Sequence, residues 1–186
     1  MSCETVAGKR QHGRSHIVAA ALDVAVEGYG AVHVRSVAER AGVSTGTIYR
    51  FFSSKDDLLV ACLQHWLTEC ADVSAPVGTD RYEALVQRAA DLTRQLCAVR
   101  ALADAVTRAY LYASGTAVIN AELVRLTLLR LFADALGTEP GTRDHAIAEL
   151  MTDCWATNVV AVTQNRLSID EIGRRLEYTV GIVRSA

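Results

Sequence analysis

Apolar positions recur at three- and four-residue intervals along most of this chain, and no stretch shows the single-residue alternation of a half-buried strand. Ile17, Ala21, Val24 and Ala25 form one stripe, so the pattern predicts a helix from about residue 13 to 28, stopped by Gly28-Tyr29-Gly30. Val34, Val37, Ala38 and Ala41 form a second, short stripe that ends at Gly42, and Ser44 is placed to cap a third helix over about 45–51. Ser54 and Asp57 have capping-box spacing and open a longer helix to about residue 73, with Leu58, Leu59, Cys62, Leu63, Trp66, Leu67 and Cys70 on one broad face. The run Ser74-Ala75-Pro76-Val77-Gly78 breaks it. Further helices are predicted near 80–98, 101–113, 117–136, 142–165 and 168–184, punctuated by Gly115, by the stretch 137–141, and by Ser168, which has capping-box spacing to Glu171. The expected fold is all-α with about nine helices. Residues 1–12 carry no periodicity and read as a flexible basic arm.

Composition agrees with this reading. Hydrophobic residues make up 51% of 186 positions, aromatics only 6%, and proline occurs twice, which favours helix over sheet. Such a length can bury a sizeable core. No uninterrupted apolar run reaches the length of a membrane span, and the N-terminus lacks the apolar core of a secretory signal. Five scattered cysteines (Cys3, Cys62, Cys70, Cys97, Cys154) without a C-x-x-C pair predict reduced thiols in a cytoplasm, the last four as small core residues. Charge is unevenly spread. Residues 1–55 hold seven Lys/Arg against four acids, a net of +3, which leaves −5 for the rest of a chain of net charge −2. A basic end on an acidic body suits a protein that presents one end to phosphates.

The chemistry is concentrated in the first quarter. A helix, a glycine turn and a second helix that opens on small polar residues make a helix-turn-helix, whose second helix fits the major groove of DNA. Candidate DNA contacts are Arg35, Ser36, Ser44, Thr45, Gly46, Thr47, Tyr49, Arg50 and Lys55. Ser36, Thr47, Tyr49 and Lys55 suit phosphates, and Lys55 gains from the positive end of its own helix. Thr45 and Arg50 suit base edges, since a guanidinium can bond guanine bidentately, and Gly46 lets the backbone approach closely. Phe51 and Phe52 read as core. His33 is a weak helix cap, and Arg14 reads as a phosphate contact or a solvated charge.

The stretch AERAGVSTGTIYRFFSSKDDLL resembles the N-terminal domain of TetR-family transcriptional regulators. Ala38, Ala41, Gly42, Val43, Ser44, Gly46, Thr47, Ile48, Tyr49, Phe52, Ser54, Lys55 and Leu58 all match that family's A-x-x-A-G-V-S-x-G-T-[IL]-Y-x-[HYF]-F-x-S-K-x-x-L pattern. His33 departs from it, because the family usually has Ser or Thr there. The resemblance implies a three-helix DNA-binding domain over residues 13–54 and an effector-binding and dimerisation domain over 55–186, joined by the helix that starts near Lys55. It also implies a homodimer on a palindromic operator, paired through the last two helices. Met151, Trp155, Val162, Ile172, Leu176 and Val180 are the expected interface.

The body (residues 55–186) offers apolar positions with few polar groups among them. Trp66, Cys70, Leu92, Leu96, Val106, Tyr110, Leu123, Leu126, Trp155, Asn158 and Val159 are the candidates to line a cavity for a hydrophobic effector, each with plain core as the competing reading. ALADAVTRAYLYAS (101–114) and residues 153–158, DCWATN, resemble the KstR-type repressors of sterol catabolism. That narrower resemblance implies release from DNA by a steroid acyl-CoA, with Arg100, Arg108 or Arg125 at a basic mouth. Asp104 paired with Arg108 is the competing reading for that arginine. A regulator of efflux or fatty-acid genes is the alternative, and a helical ligand carrier without DNA binding is the rival from another class. No enzyme motif is present and no cofactor is expected. Cys62, His65 and Glu69 lack a second cluster to complete a metal site.

Overall fold

The computed structural model describes residues 3–70 and 80–185, and these residues form nine α-helices and no strand. They are α1 (Cys3–Ala25), α2 (Val34–Ala41), α3 (Thr45–Phe51), α4 (Lys55–Cys70), α5 (Arg81–Cys97), α6 (Arg100–Leu111), α7 (Ala117–Leu136), α8 (Arg143–Thr163) and α9 (Ile169–Ser185). The predicted break at Ser74–Gly78 lies outside the described residues.

The largest departure from the pattern is at the start. α1 begins at Cys3, so residues 3–12 of the stretch expected to be a flexible arm are helical. Gly8 and residues 10–12 are exposed on it, and burial begins at Ile17. An exposed helical stretch needs no apolar stripe, and periodicity cannot find it.

Helix ends follow local chemistry. Gly42 sits at φ 62°, ψ 32°, and beyond it the Val43 N–H donates to the Ala38 carbonyl at 3.0 Å, closing α2 in a left-handed turn. His33 makes no side-chain cap, as its departure from Ser or Thr implies. Ser54 Oγ accepts from the Asp57 N–H at 3.0 Å, but the Asp57 carboxylate reaches back past Ser54 to the Ser53 N–H at 2.8 Å. The box is therefore offset by one residue. Ser168 caps α9 through the Glu171 N–H at 3.1 Å, while the Glu171 carboxylate turns to Arg174 and Arg175 instead of back to the cap.

α4 is the wall shared by the two halves. It packs on α1 on the head side and on α6 and α7 on the body side, and α5 in turn packs on α7 and α9. Leu58, Leu59, Val60, Ala61 and Cys62 are all buried, so this helix has almost no free face along its first half. One apolar core runs from Ile17 and Val18 through α4 to Leu85, Phe132, Ile172 and Val180, continuous across residue 54. Each fully buried Leu, Ile or Phe side chain contributes about 1.5–3 kcal/mol relative to exposure, which fixes the head on the body.

Candidate nucleic-acid interface

α2 and α3 meet at the Gly42 turn, with Val37, Ala38, Ala41 and Ile48 buried beneath them. Ser44 Oγ accepts from the Thr47 N–H at 3.1 Å and lies 3.0 Å from the Thr47 hydroxyl. Ser44 and half-buried Thr47 are thus engaged with each other, fixing the first turn of α3. Thr45, Gly46, Tyr49 and Arg50 remain on the outer face, with Tyr49 58% exposed. The Arg50 guanidinium lies 5.3 Å from the Phe51 ring centroid, which orients it without using its hydrogen-bond donors. Ser36 is half-buried, and Arg35 is exposed but paired with Glu39 at 3.0 Å.

Gly46 has an informative environment. A Cβ built there would meet only Ser44 Oγ, at an ordinary 3.8 Å. Nothing inside the chain requires glycine, which in a helix costs about 1 kcal/mol relative to alanine.

Lys55, read as a phosphate partner, and Arg14, read as a phosphate contact or a solvated charge, are both turned onto partners within the chain. Lys55 Nζ donates to the Tyr29 carbonyl at 2.6 Å and lies 3.6 Å from the Tyr29 ring centroid, and burial pulls its pKa below the usual lysine value. It braces the turn after α1 against the start of α4. Arg14 donates to Asn120 at 3.1 Å and lies 5.2 Å from the Phe52 ring centroid, so it is neither a solvated charge nor directed at DNA. Tyr29 itself donates to Asp56 at 2.8 Å, and its pKa is raised by burial first and by that bond second.

The positions proposed to hold an effector divide. Leu92, Leu96, Val106, Trp155 and Val159 are buried where α5, α6 and α8 pack together, and Trp155 Nε1 donates to the Ala89 carbonyl at 3.1 Å and to Thr93 Oγ1 at 2.9 Å. Cys70 is buried beside Gln95, while Trp66, Tyr110 and Asn158 are half-buried. Burial raises the Tyr110 pKa, with the Asp153 charge adding to it. Leu123 and Leu126, by contrast, are 44% and 45% exposed on the outer side of α7 and do not line the interior. Their helix is apolar on more than one side, so the sequence alone could not say which side turns in.

The expected dimer contacts need a larger correction. Met151, Trp155, Val162, Ile172, Leu176 and Val180 are all buried in the protomer's own core, leaving nothing to present to a second copy. The stripe that marks α8 and α9 is the face that packs inward. The three arginines that are the alternative candidates for a basic mouth each have a partner within the chain. Arg108 lies 4.6 Å from the Tyr29 ring centroid and Arg125 pairs with Glu122, whereas Arg100 donates to the Val162 carbonyl at 2.8 Å. Cys62 Sγ bonds the Val18 carbonyl inside the core, and burial pushes its pKa up to about 12; His65 pairs instead with Glu69 at 3.3 Å.

Comparison with known proteins agrees with the helix-turn-helix geometry. A family profile described as bacterial regulatory proteins, tetR family, matches residues 17–62, and one described as tetracyclin repressor-like, C-terminal domain, matches residues 78–183. The HTH-type transcriptional repressor KstR of Rhodococcus jostii is 36% identical over 173 residues, covering 91% of this chain and 82% of that protein. KstR of Mycobacterium tuberculosis is 33% identical over 175 residues, covering 91% and 80%. Among solved structures, a TetR transcriptional regulator from Rhodococcus sp. RHA1 superposes with a TM-score of 0.84 at 25% identity, covering 93% of this chain and 95% of that one. FadR from Bacillus subtilis in complex with stearoyl-CoA shares the fold at a TM-score of 0.59 and 16% identity, covering 91% and 96%. A polar outer face on α3, profile matches at both ends of the chain and relatives matched over nine-tenths of the sequence lead to one assignment: the chain belongs to the TetR family of bacterial transcriptional regulators.

Proposed function

We propose that this protein is a transcriptional repressor that binds a palindromic operator as a homodimer and is released by a hydrophobic effector of the steroid acyl-CoA class. The observation that carries the DNA-binding part is the outer face of α3, where Thr45, Gly46, Tyr49 and Arg50 are exposed while Ile48 anchors the helix from its buried side. Thr45 and Arg50 read base edges, and Tyr49 with the Ser36 hydroxyl takes phosphates. Residues 13–54 carry this task and 55–186 the effector and the dimer. Dimerisation uses the outward sides of α8 and α9, where Leu150, Tyr178 and Ile182 are 55%, 72% and 53% exposed. The effector is held among the side chains that meet between α4, α5, α6 and α8, with Trp66, Tyr110 and Asn158 as its half-buried contacts. The KstR relatives, named as transcriptional repressors, support repression, and the sterol-derived class of ligand is what the resemblance of residues 101–114 and 153–158 to the KstR-type repressors implies.

The test is fluorescence anisotropy on a duplex from the region upstream of the protein's own gene, titrated at several salt concentrations. Two protomers per duplex and a steep fall of affinity with salt are expected, with release on adding a steroid acyl-CoA but not a fatty acyl-CoA. Equal binding to that duplex and to a random one would sink the regulator reading. Release by fatty acyl-CoA alone would sink only the effector class.

A further inference from the structure

Asp57 is 4% exposed and accepts hydrogen bonds from both halves of the molecule. From the head side come the Ser53 N–H at 2.8 Å and the Ser53 hydroxyl at 3.1 Å, immediately after the Phe52 cap of α3. From the body come Asn120 Nδ2 at 2.6 Å and the Thr116 hydroxyl at 3.4 Å, both at the start of α7. Thr116 Oγ1 also contacts Ser53 Oγ directly. On its other side, Asn120 Oδ1 accepts from Arg14 Nη2 of α1 at 3.1 Å, and that guanidinium stacks on Phe52. One side chain of the body is therefore gripped by two elements, one before the recognition helix and one after it.

We propose that Asn120 is a positioning residue for DNA binding. Through Asp57 and Arg14 it sets the angle at which α3 is carried on the body, and so the separation of the two recognition helices in a dimer. The inference rests on the repressor reading above and adds the residues that transmit geometry between its halves. The chemistry is selective. The side chain at 120 must donate to a carboxylate and accept from a guanidinium at once, which an amide does and neither a carboxylate nor a leucine can. The amide orientation follows from its partners, with the carbonyl toward Arg14 and the NH₂ toward Asp57. Asp57 is likewise restricted, because it accepts from a backbone N–H and an amide together. Asp57→Asn alone would set two NH₂ groups against each other, or one against the Ser53 N–H. Changing both residues removes the conflict. The amide brought in by Asp57→Asn would accept from Ser53 and donate to the carboxylate brought in by Asn120→Asp, which would accept from Arg14.

The test uses the full chain and a two-half-site duplex selected by the wild-type protein from a random DNA pool, beside variants of that duplex with altered half-site spacing and one with a single half-site. Asn120→Ala and Asn120→Asp are expected to lose about tenfold in affinity for the two-half-site duplex, to keep single-half-site affinity within about twofold, and to discriminate less between spacings. The double variant Asp57→Asn with Asn120→Asp is expected to regain the wild-type spacing preference. Should Asn120→Ala loosen the whole fold, affinity for the single half-site would fall with it, so a changed spacing preference at retained single-half-site affinity is what separates positioning from general damage. Unchanged spacing preference in both single variants, equal losses on the two kinds of duplex, or no rescue would each overturn the proposal. A wild-type chain that selects no duplex would overturn the repressor reading with it.

Discussion

The two short helices of the head and the two long helices at the C-terminus are built on the same principle and are unequally legible. In α2–α3 the apolar stripe goes inward, and what remains outside is a small set of polar residues whose chemistry names a partner. In α8–α9 the stripe also goes inward, but the sequence offered it as the dimer surface, and the outer sides carry Leu150, Tyr178 and Ile182 instead. An apolar pattern says which side is buried. It does not say whether the burial is within one chain or between two.

Four measurements sharpen that contrast. The largest effect is expected at Trp155, placed by sequence both in the effector site and in the interface and found hydrogen-bonded inside the core. Trp155→Ala should lose about 3–5 kcal/mol of stability in urea unfolding; a stable variant that is merely monomeric would restore the interface reading. Next is the head. Arg50→Ala should weaken operator binding by about 1–3 kcal/mol with a smaller loss on random DNA, and equal losses on both would demote Arg50 to a phosphate contact.

The shared helix α4 gives a pH test. In the unfolded chain Cys62 ionises near 9.0, and in the folded core only near 12, so the folded state holds its proton longer. Its contribution is complete below pH 9 and is lost as pH rises through the interval to 12. At pH 10 the loss is on the order of 1 kcal/mol. Comparing wild type with Cys62→Ala at about pH 8 and pH 10 isolates this group from the tyrosines and lysines that titrate nearby, and a pH-independent difference would mean the thiol is not sealed in the core. The smallest effect on stability is at Gly46. Gly46→Ala should raise stability by up to about 1 kcal/mol, with operator binding lost nonetheless; full operator binding by the alanine variant would mean that DNA does not approach this backbone.

The fold class, the helix order and most boundaries could be read from periodicity and caps because those signals are local: Gly42, Ser44 and Ser168 act within one turn of themselves. The outer face of α3 was legible for the same reason, since seven residues contain both the buried Ile48 and the exposed Thr45, Gly46 and Arg50. The directions of Lys55, Arg14 and Arg108 were not legible, because a charge in a sequence carries no direction. All three are turned onto partners in other elements.

By itself the sequence determined an all-α chain with a helix-turn-helix near its start, for the reason that helical spacing, glycine turns and hydroxyl caps are settled by neighbours three or four residues away. Tertiary structure alone decided which sides of α7, α8 and α9 face solvent, and that Asp57, Asn120 and Arg14 form one chain of hydrogen bonds. Asp57 and Asn120 are 63 positions apart and Asn120 and Arg14 are 106 apart. No local rule connects them, because only the packing of α1, α4 and α7 brings a donor and an acceptor within reach.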